Sequence, residues 1–276
     1  MINSKVIQIT KDQNGREAVM VRVDKTAKEW METKPYSRWD SEYWHPKFDE
    51  AYDALNRFGG EKSVLKNILR DNEVISCDHV RASKREKIGE YKTAYFTVDH
   101  IMPTGYDLNN LLFASDNAYE RLKRTALKNG DVAIAGSGKG SVGKSFIFRY
   151  DQYVAIVGDL FILRVKEISP YYLQIFFQSS LGQAQIQRHE SGVSGQTHIN
   201  KQEIEEFLIP ILSQNIQTHI ESEYKKMSTH HDLATQRKKK SDEAGYNKNI
   251  EIAEKMLKDL IMKTEAVIRD ERKDVI

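Results

Sequence analysis

The sequence has one cysteine, Cys77, five prolines and almost no net charge for its length of 276 residues. A single thiol excludes an internal disulfide framework and a thiolate-rich zinc site, which leaves Cys77 as a small hydrophobe. Forty-two Lys and Arg face forty Asp and Glu, a formal net charge of +2, so a polycation that holds nucleic acid by bulk charge is excluded. Any such contact must be local. No run approaches the roughly 20 apolar residues that cross a membrane. The segment Met1 to Lys11 lacks the charged and apolar regions of a secretory signal, so the expectation is a cytoplasmic protein without membrane contact. What is present is a hydrophobic fraction of 39%, enough for a core, and 30% charged residues for a large solvated surface.

The composition changes near Ser213. Before it, β-branched and aromatic runs such as AYFTVDHI (94–101), DVAIAG (131–136), KSFIFRY (144–150) and YVAIVGDLFILRV (153–165) predict strands. Ser169-Pro170 predicts an N-cap with proline at the first helical position, opening a helix through YYLQIFFQSSLGQAQIQRH. Asn200 with Glu203 gives a capping signal before the extended LIPIL. After Ser213 there is no proline and one glycine, Gly245, and two long helices are predicted. Apolar positions Ile216, Ile220, Tyr224, Met227, His231 and Ala234 mark the first, and Tyr246, Ile250, Ala253, Leu257, Leu260, Thr264 and Val267 the second, at the alternating spacing of a coiled-coil seam. So narrow a stripe needs a partner helix, from the same chain or another subunit; the pattern fixes the seam and not its owner. Arg237 to Lys240, between the helices, reads as a solvated turn.

Gly138-Lys139-Gly140-Ser141-Val142-Gly143-Lys144-Ser145 satisfies the G-x-x-x-x-G-K-[ST] pattern of a phosphate-binding loop. Such a loop delivers phosphate to the start of a following helix. Here the continuation FIFRYDQYVAIV alternates aromatic and β-branched residues and predicts a strand, so a glycine-rich hairpin with lysines at its tip is the better reading and an NTP-binding enzyme the alternative. Asp78 with Glu90-Tyr91-Lys92 imitates the acids of metal-dependent nucleases, a spacing that forty acidic residues produce by chance. No histidine pair has zinc-site spacing, His230 and His231 being adjacent, and no tetrapeptide of a base-flipping methyltransferase is present.

Basic residues concentrate in three places. Between Asn117 and Arg149 there are Arg121, Lys123, Arg124, Lys128, Lys139, Lys144 and Arg149 against Glu120 and Asp131 only. Arg81, Lys84, Arg85 and Lys87 follow Val80, and Arg188 to His198 offers Arg188, Ser194, Gln196 and His198 to phosphates or base edges.

Read together, these segments resemble the specificity subunit of type I restriction-modification enzymes in a half-length form. The resemblance is carried by Arg38-Trp39-Asp40-Ser41-Glu42-Tyr43-Trp44-His45-Pro46, by Leu127 to Ala135 leading into Gly138 to Lys144, by Ser194-Gly195-Gln196-Thr197-His198-Ile199 through Glu203-Ile204 to Ile209-Pro210, and by the long helix after Ser213. It implies an α+β fold: a mixed α/β target recognition domain over residues 1–212, followed by a long helical, coiled-coil spacer over 213–276 used for dimerisation. It implies a non-catalytic subunit without a cofactor or metal, which directs methyltransferase and restriction subunits to a site in double-stranded DNA. A symmetric dimer would read a bipartite site. The expected DNA contacts are Lys84, Arg85, Lys87, Arg121, Arg124, Lys139, Ser141, Lys144, Arg188, Ser194, Gln196 and His198, and the expected dimer or partner seam is Ile250, Leu257, Leu260 and Val267.

Overall fold

A computed structural model describes residues 4–11, 17–23, 42–77, 85–86, 92–192 and 197–276. Strands β1 (Ser4–Lys11) and β2 (Glu17–Val23) form an antiparallel hairpin. After helix α1 (Asp49–Arg57) come β3 (Lys62–Val64), the single turn α2 (Leu65–Ile68), β4 (Ile75–Ser76), β5 (Arg85–Glu86) and β6 (Thr93–Phe96). The small hairpin of β7 (Ile101–Met102) and β8 (Gly105–Tyr106) follows, then β9 (Leu112–Ala114) and α3 (Asp116–Leu122). The remaining strands of the mixed region are β10 (Val132–Ala135), β11 (Ser145–Ile147), β12 (Ala155–Val157) and β13 (Leu160–Leu163).

Among the described residues two four-stranded sheets make the centre, one ordered β11-β10-β13-β4 and the other β12-β6-β9-β5. The first is antiparallel throughout; in the second, β12 runs parallel to β6. The run 153–165, expected as one strand, is two. Asp159 sits in the left-handed region at φ 58°, and the reversal sends β12 to one sheet and β13 to the other. Apolar surface on both sides of a strand hides such a break, because a run buried on two faces does not alternate. Phe96, Tyr106, Phe146, Phe148 and Tyr150 fill a shared core, with the Phe96 and Tyr106 rings 4.5 Å apart.

The helix predicted from Pro170 onward is also divided, into α4 (Pro170–Gln178) and α5 (Ser180–His189). Ser179 adopts an extended backbone and its Oγ accepts from the Gly182 N–H, which caps the second helix. Ser169 does not cap α4 through its side chain. Asn200 and Glu203 do form the expected capping box, at the start of α6 (Lys201–Glu205). β14 (Leu208–Pro210), from LIPIL, then pairs with β3.

Two 26-residue helices end the chain, α7 (Gln214–Lys239) and α8 (Glu243–Ile268), with Ser213 and Asp242 as N-caps. The seam has its owner in the same chain. Ile220, Tyr224, Met227 and Ala234 on α7 and Ala253, Leu257, Leu260 and Val267 on α8 are buried, and Ile250 is half-buried. Of the two owners left open for the seam of Ile250, Leu257, Leu260 and Val267, the closed hairpin favours the same chain: its own helices and the mixed region cover the stripe. Six consecutive residues of α4, Tyr172 to Phe177, are buried because this helix lies between the first sheet and the helical pair.

The pair lies along the mixed region. Near its start, Gln217 Oε1 accepts from the Ser169 N–H at 2.7 Å. Further along, Arg149 makes a two-bonded ion pair with Asp232 at 2.7 and 2.6 Å, and Lys238 meets Asp107 at 2.9 Å. Between these, His231 is fully buried: its Nε2–H donates to Tyr106 O at 3.1 Å, which leaves Nδ1 to accept from the Thr104 hydroxyl at 2.8 Å. Gly105 permits this approach, since a Cβ there would lie 2.8 Å from His231 Nε2. No described helix is long and apolar enough to cross a membrane.

Candidate nucleic-acid interface

The glycine-rich segment is the connection of an antiparallel hairpin. β10 and β11 pair with Val132 opposite Ile147 and Ile134 opposite Ser145, and no helix follows Lys144. Gly138, Gly140 and Gly143 all have left-handed φ values, 100°, 69° and 83°, which fold the connection back sharply. Its amides are used within the turn: Ser141 and Val142 N–H donate to Gly138 O, Gly143 N–H to Ala135 O and Lys144 N–H to Ser141 O, at 2.8 to 3.2 Å. A phosphate-wrapping loop needs those donors free. The nucleotide-loop alternative fails on both the amides and the absent helix.

The hairpin is joined to the distant segment ending in His198. Gly138 N–H donates to Thr197 O and Ile199 N–H to Gly136 O, each at 2.9 Å, while Ser137 and Ser191 both bridge His198. Two polar stretches separated by over fifty residues thus share one edge. On it Lys139, Lys144 and His198 are exposed and Ser141 is half-buried. Among the described residues no carboxylate pairs with Lys139 or Lys144.

The other basic residues divide. Arg121, on α3, and Arg124, just after it, are exposed without an acid partner among the described residues, whereas Lys123 pairs with Glu120 at 2.9 Å. Arg149, counted in the basic segment, is taken by Asp232. Asp131, counted against that segment, is buried and holds Arg164 through two bonds of 2.8 and 2.6 Å, and also accepts from the Lys128 N–H. Arg188, expected on DNA, is turned inward. Its Nε donates to Tyr43 O at 3.0 Å, and its guanidinium lies 4.7, 5.7 and 4.4 Å from the ring centres of Tyr43, Trp44 and Tyr52. Sequence alone missed this cage because the aromatics lie over a hundred residues away; Tyr43-Trp44 beside Tyr52 was its visible half. Arg81, Lys84, Lys87, Ser194, Gln196, Arg38 to Ser41, Asp78, Glu90 and Tyr91 lie outside the described residues, and Arg85 is placed only as backbone of β5.

A cleft of about 350 Å³ opens behind the hairpin, between Met102 and Pro103 on one side and Leu257 and Ile261 of α8 on the other, with Lys144 at its margin. No group of three potential metal-ligating side chains occurs among the described residues.

The chain is similar to type I restriction-modification specificity subunits over most of its length. Against the HsdS subunit from Thermoanaerobacter tengcongensis the identity is 14% and the TM-score 0.43, over 83% of this chain and 52% of that one. A chain from a structure of type I restriction-modification assembly and conformational transition gives 12% and 0.45, over 79% of this chain and 53% of that one. The type IIG restriction endonuclease BpuSI gives 12% and 0.46, over 90% of this chain and 37% of that one. The chain thus spans about half or less of the length of these proteins. No family model and no curated protein matches the sequence.

Proposed function

We propose that the chain is a sequence-specific DNA-recognition subunit, non-catalytic itself, which directs partner methyltransferase and restriction subunits to a target site. The observation that carries this is the shared edge: the hairpin tip with Lys139, Ser141 and Lys144 is bonded through its backbone to the segment of Thr197 and His198, which joins unpaired cations to side chains able to address bases. The order of sequence motifs supports the same reading, with residues 1–212 as the recognition domain and 213–276 as the helical region. Lys84, Arg85, Lys87, Arg121, Arg124, Ser194 and Gln196 remain proposed contacts. Two copies of the chain reading a symmetric, bipartite site is the proposed assembly. It needs a surface other than the closed seam.

The test is selection from a duplex pool with a randomised core, followed by affinity measurement from about 50 to 200 mM salt, a range over which several phosphate contacts cost orders of magnitude. Enrichment of one sequence, with steep salt dependence and no effect of ATP, is expected. Failure to enrich any sequence would remove the proposal.

A further inference from the structure

We propose that Arg188 is a positioning residue, which fixes the His198 edge for DNA while itself touching no nucleic acid. This rests on the proposed function and concerns the same site. Arg188 occupies the last turn of α5, and the helix ends at the following residues, where Glu190 N–H donates to Ile186 O. The next residue, Ser191, exchanges both backbone hydrogen bonds with His198, at 2.9 and 2.8 Å. The end of α5 is therefore the root of the edge.

Its direction is held from the other side by Tyr43, Trp44 and Tyr52. The guanidinium rests against all three rings, and its Nε–H is committed to the Tyr43 carbonyl. His189 adds a second grip: its ring stands edge-on to Tyr43 at 5.2 Å, with Nδ1–H donating to Gln185 O at 2.8 Å. A planar cation stacked on aromatic faces is more weakly hydrated and more directional than an ammonium, so it fixes orientation as well as distance. Stacking on the rings and the bond from Nε–H set the guanidinium's orientation from within the chain, without a phosphate.

The experiment compares Arg188→Met, Arg188→Lys and Tyr52→Leu with the parent on the duplex selected from the randomised pool, on its single-base variants and on an unselected duplex. If Arg188 positions the edge, Arg188→Met lowers affinity for the selected duplex by about ten-fold, the equivalent of one stacked cation, and flattens the preference among single-base variants. Binding to the unselected duplex and the salt slope stay unchanged. Tyr52→Leu, which alters no charge, reproduces this pattern and is not additive with Arg188→Met. Arg188→Lys, which keeps a cation on the rings, recovers part of the preference.

A fall of about one unit in the salt slope with Arg188→Met, and no effect of Tyr52→Leu, would instead assign Arg188 to a phosphate. Loss of thermal stability in both variants with the preference intact would make the cage a stability element alone. Either result overturns the proposal. A parent chain that enriches no duplex would overturn the DNA reading beneath it, which is a separate observation.

Discussion

His231 joins a helix to a strand hairpin through one buried imidazole, so its protonation is coupled to the fold. Burial holds its pKa below the ordinary histidine value, and the nearby Arg149 acts in the same direction; the Tyr106 carbonyl, Asp232 and Asp107 oppose them without prevailing. The unfolded chain then takes up a proton near pH 6.5 while the folded chain stays neutral, so stability is complete above that pH and declines as pH falls toward the lowered folded value. The slope cannot exceed about 1.4 kcal/mol per pH unit for one proton. His231→Gln should be less stable than the parent at pH 7.5 and should lose this component of the slope between pH 6.5 and 5. A parent and variant that decline in parallel would show that His231 does not titrate between the two states. Asp107 acts in the same sense at lower pH: burial alone would raise its pKa, but Lys238 and the Asn109 donors hold it below the usual carboxylate range, so its contribution too is lost as pH falls, but only at more acid pH.

Asp131 poses a second residue-scale question. It lies inside the most basic segment of the chain, where an acid would weaken phosphate binding, yet it is 1% exposed and its charge is spent on Arg164. Removing one partner of a buried pair leaves the other uncompensated, which typically costs 3 to 5 kcal/mol. Arg164 retains some solvent access, so Asp131→Asn should cost about 3 kcal/mol, read by urea unfolding, with little change in the salt slope of DNA binding. An unchanged unfolding midpoint would show that the pair adds nothing.

At the scale of elements, the glycine-rich hairpin is the part whose function is easiest to mistake. Lys144→Ala should leave ATP binding undetectable in both forms and weaken DNA binding, because the lysine stands exposed at an edge where the amides of Gly138 and of Ser141 to Lys144 are already engaged. Magnesium-dependent ATP binding lost in the variant would reverse this. The hairpin was legible in sequence because alternation after Ser145 contradicts a helix, and the capping box at Asn200 was legible because it is a local device. The break at Ser179 and the switch at Asp159 were not. Each interrupts a continuous apolar run, and what decides them is which surface each half covers, a property of the assembled core. The cage at Arg188 escaped for a related reason: an arginine beside polar, glycine-containing sequence has the composition of a DNA contact until its distant partners are placed.

The seam of α8 shows the same limit at greater length. Its spacing named the buried positions Ala253, Leu257, Leu260, Thr264 and Val267 but not Ile268, and the identity of the covering helix is a matter of chain geometry. Leu257→Lys with Leu260→Lys puts two charges where both side chains are buried, and should cost several kcal/mol. The stripe is closed within one chain, so the thermal midpoint of the parent should not depend on protein concentration, and the variant should melt lower at every concentration. A parent midpoint that rises with concentration, together with a variant that is folded but no longer associates, would place the seam between chains after all.

For the whole molecule, the closed hairpin separates two questions that the heptad spacing had joined, how the chain is stabilised and how copies associate. α7 is tied to the mixed region near its start by Gln217, midway by His231 and Asp232, and near its end by Lys238, so the pair does not stand away from the mixed region as a free rod. If two copies read a symmetric site, their separation is set by whole chains arranged on the duplex. The DNA itself then helps to assemble them, since a two-fold site presents equivalent half-sites at a fixed helical phase. The expected outcome is one chain bound to a duplex carrying a single copy of the selected sequence and two chains on an inverted pair. The second chain should bind more tightly than the first when the spacing matches, and adding about five base pairs, half a helical turn of about 10 to 10.5, should abolish that advantage by turning the half-sites to opposite faces. Sedimentation of the complexes reads the stoichiometry, and titration reads the coupling. Independent, equal binding of the two chains at every spacing would end the symmetric-dimer reading while leaving recognition by the single chain intact.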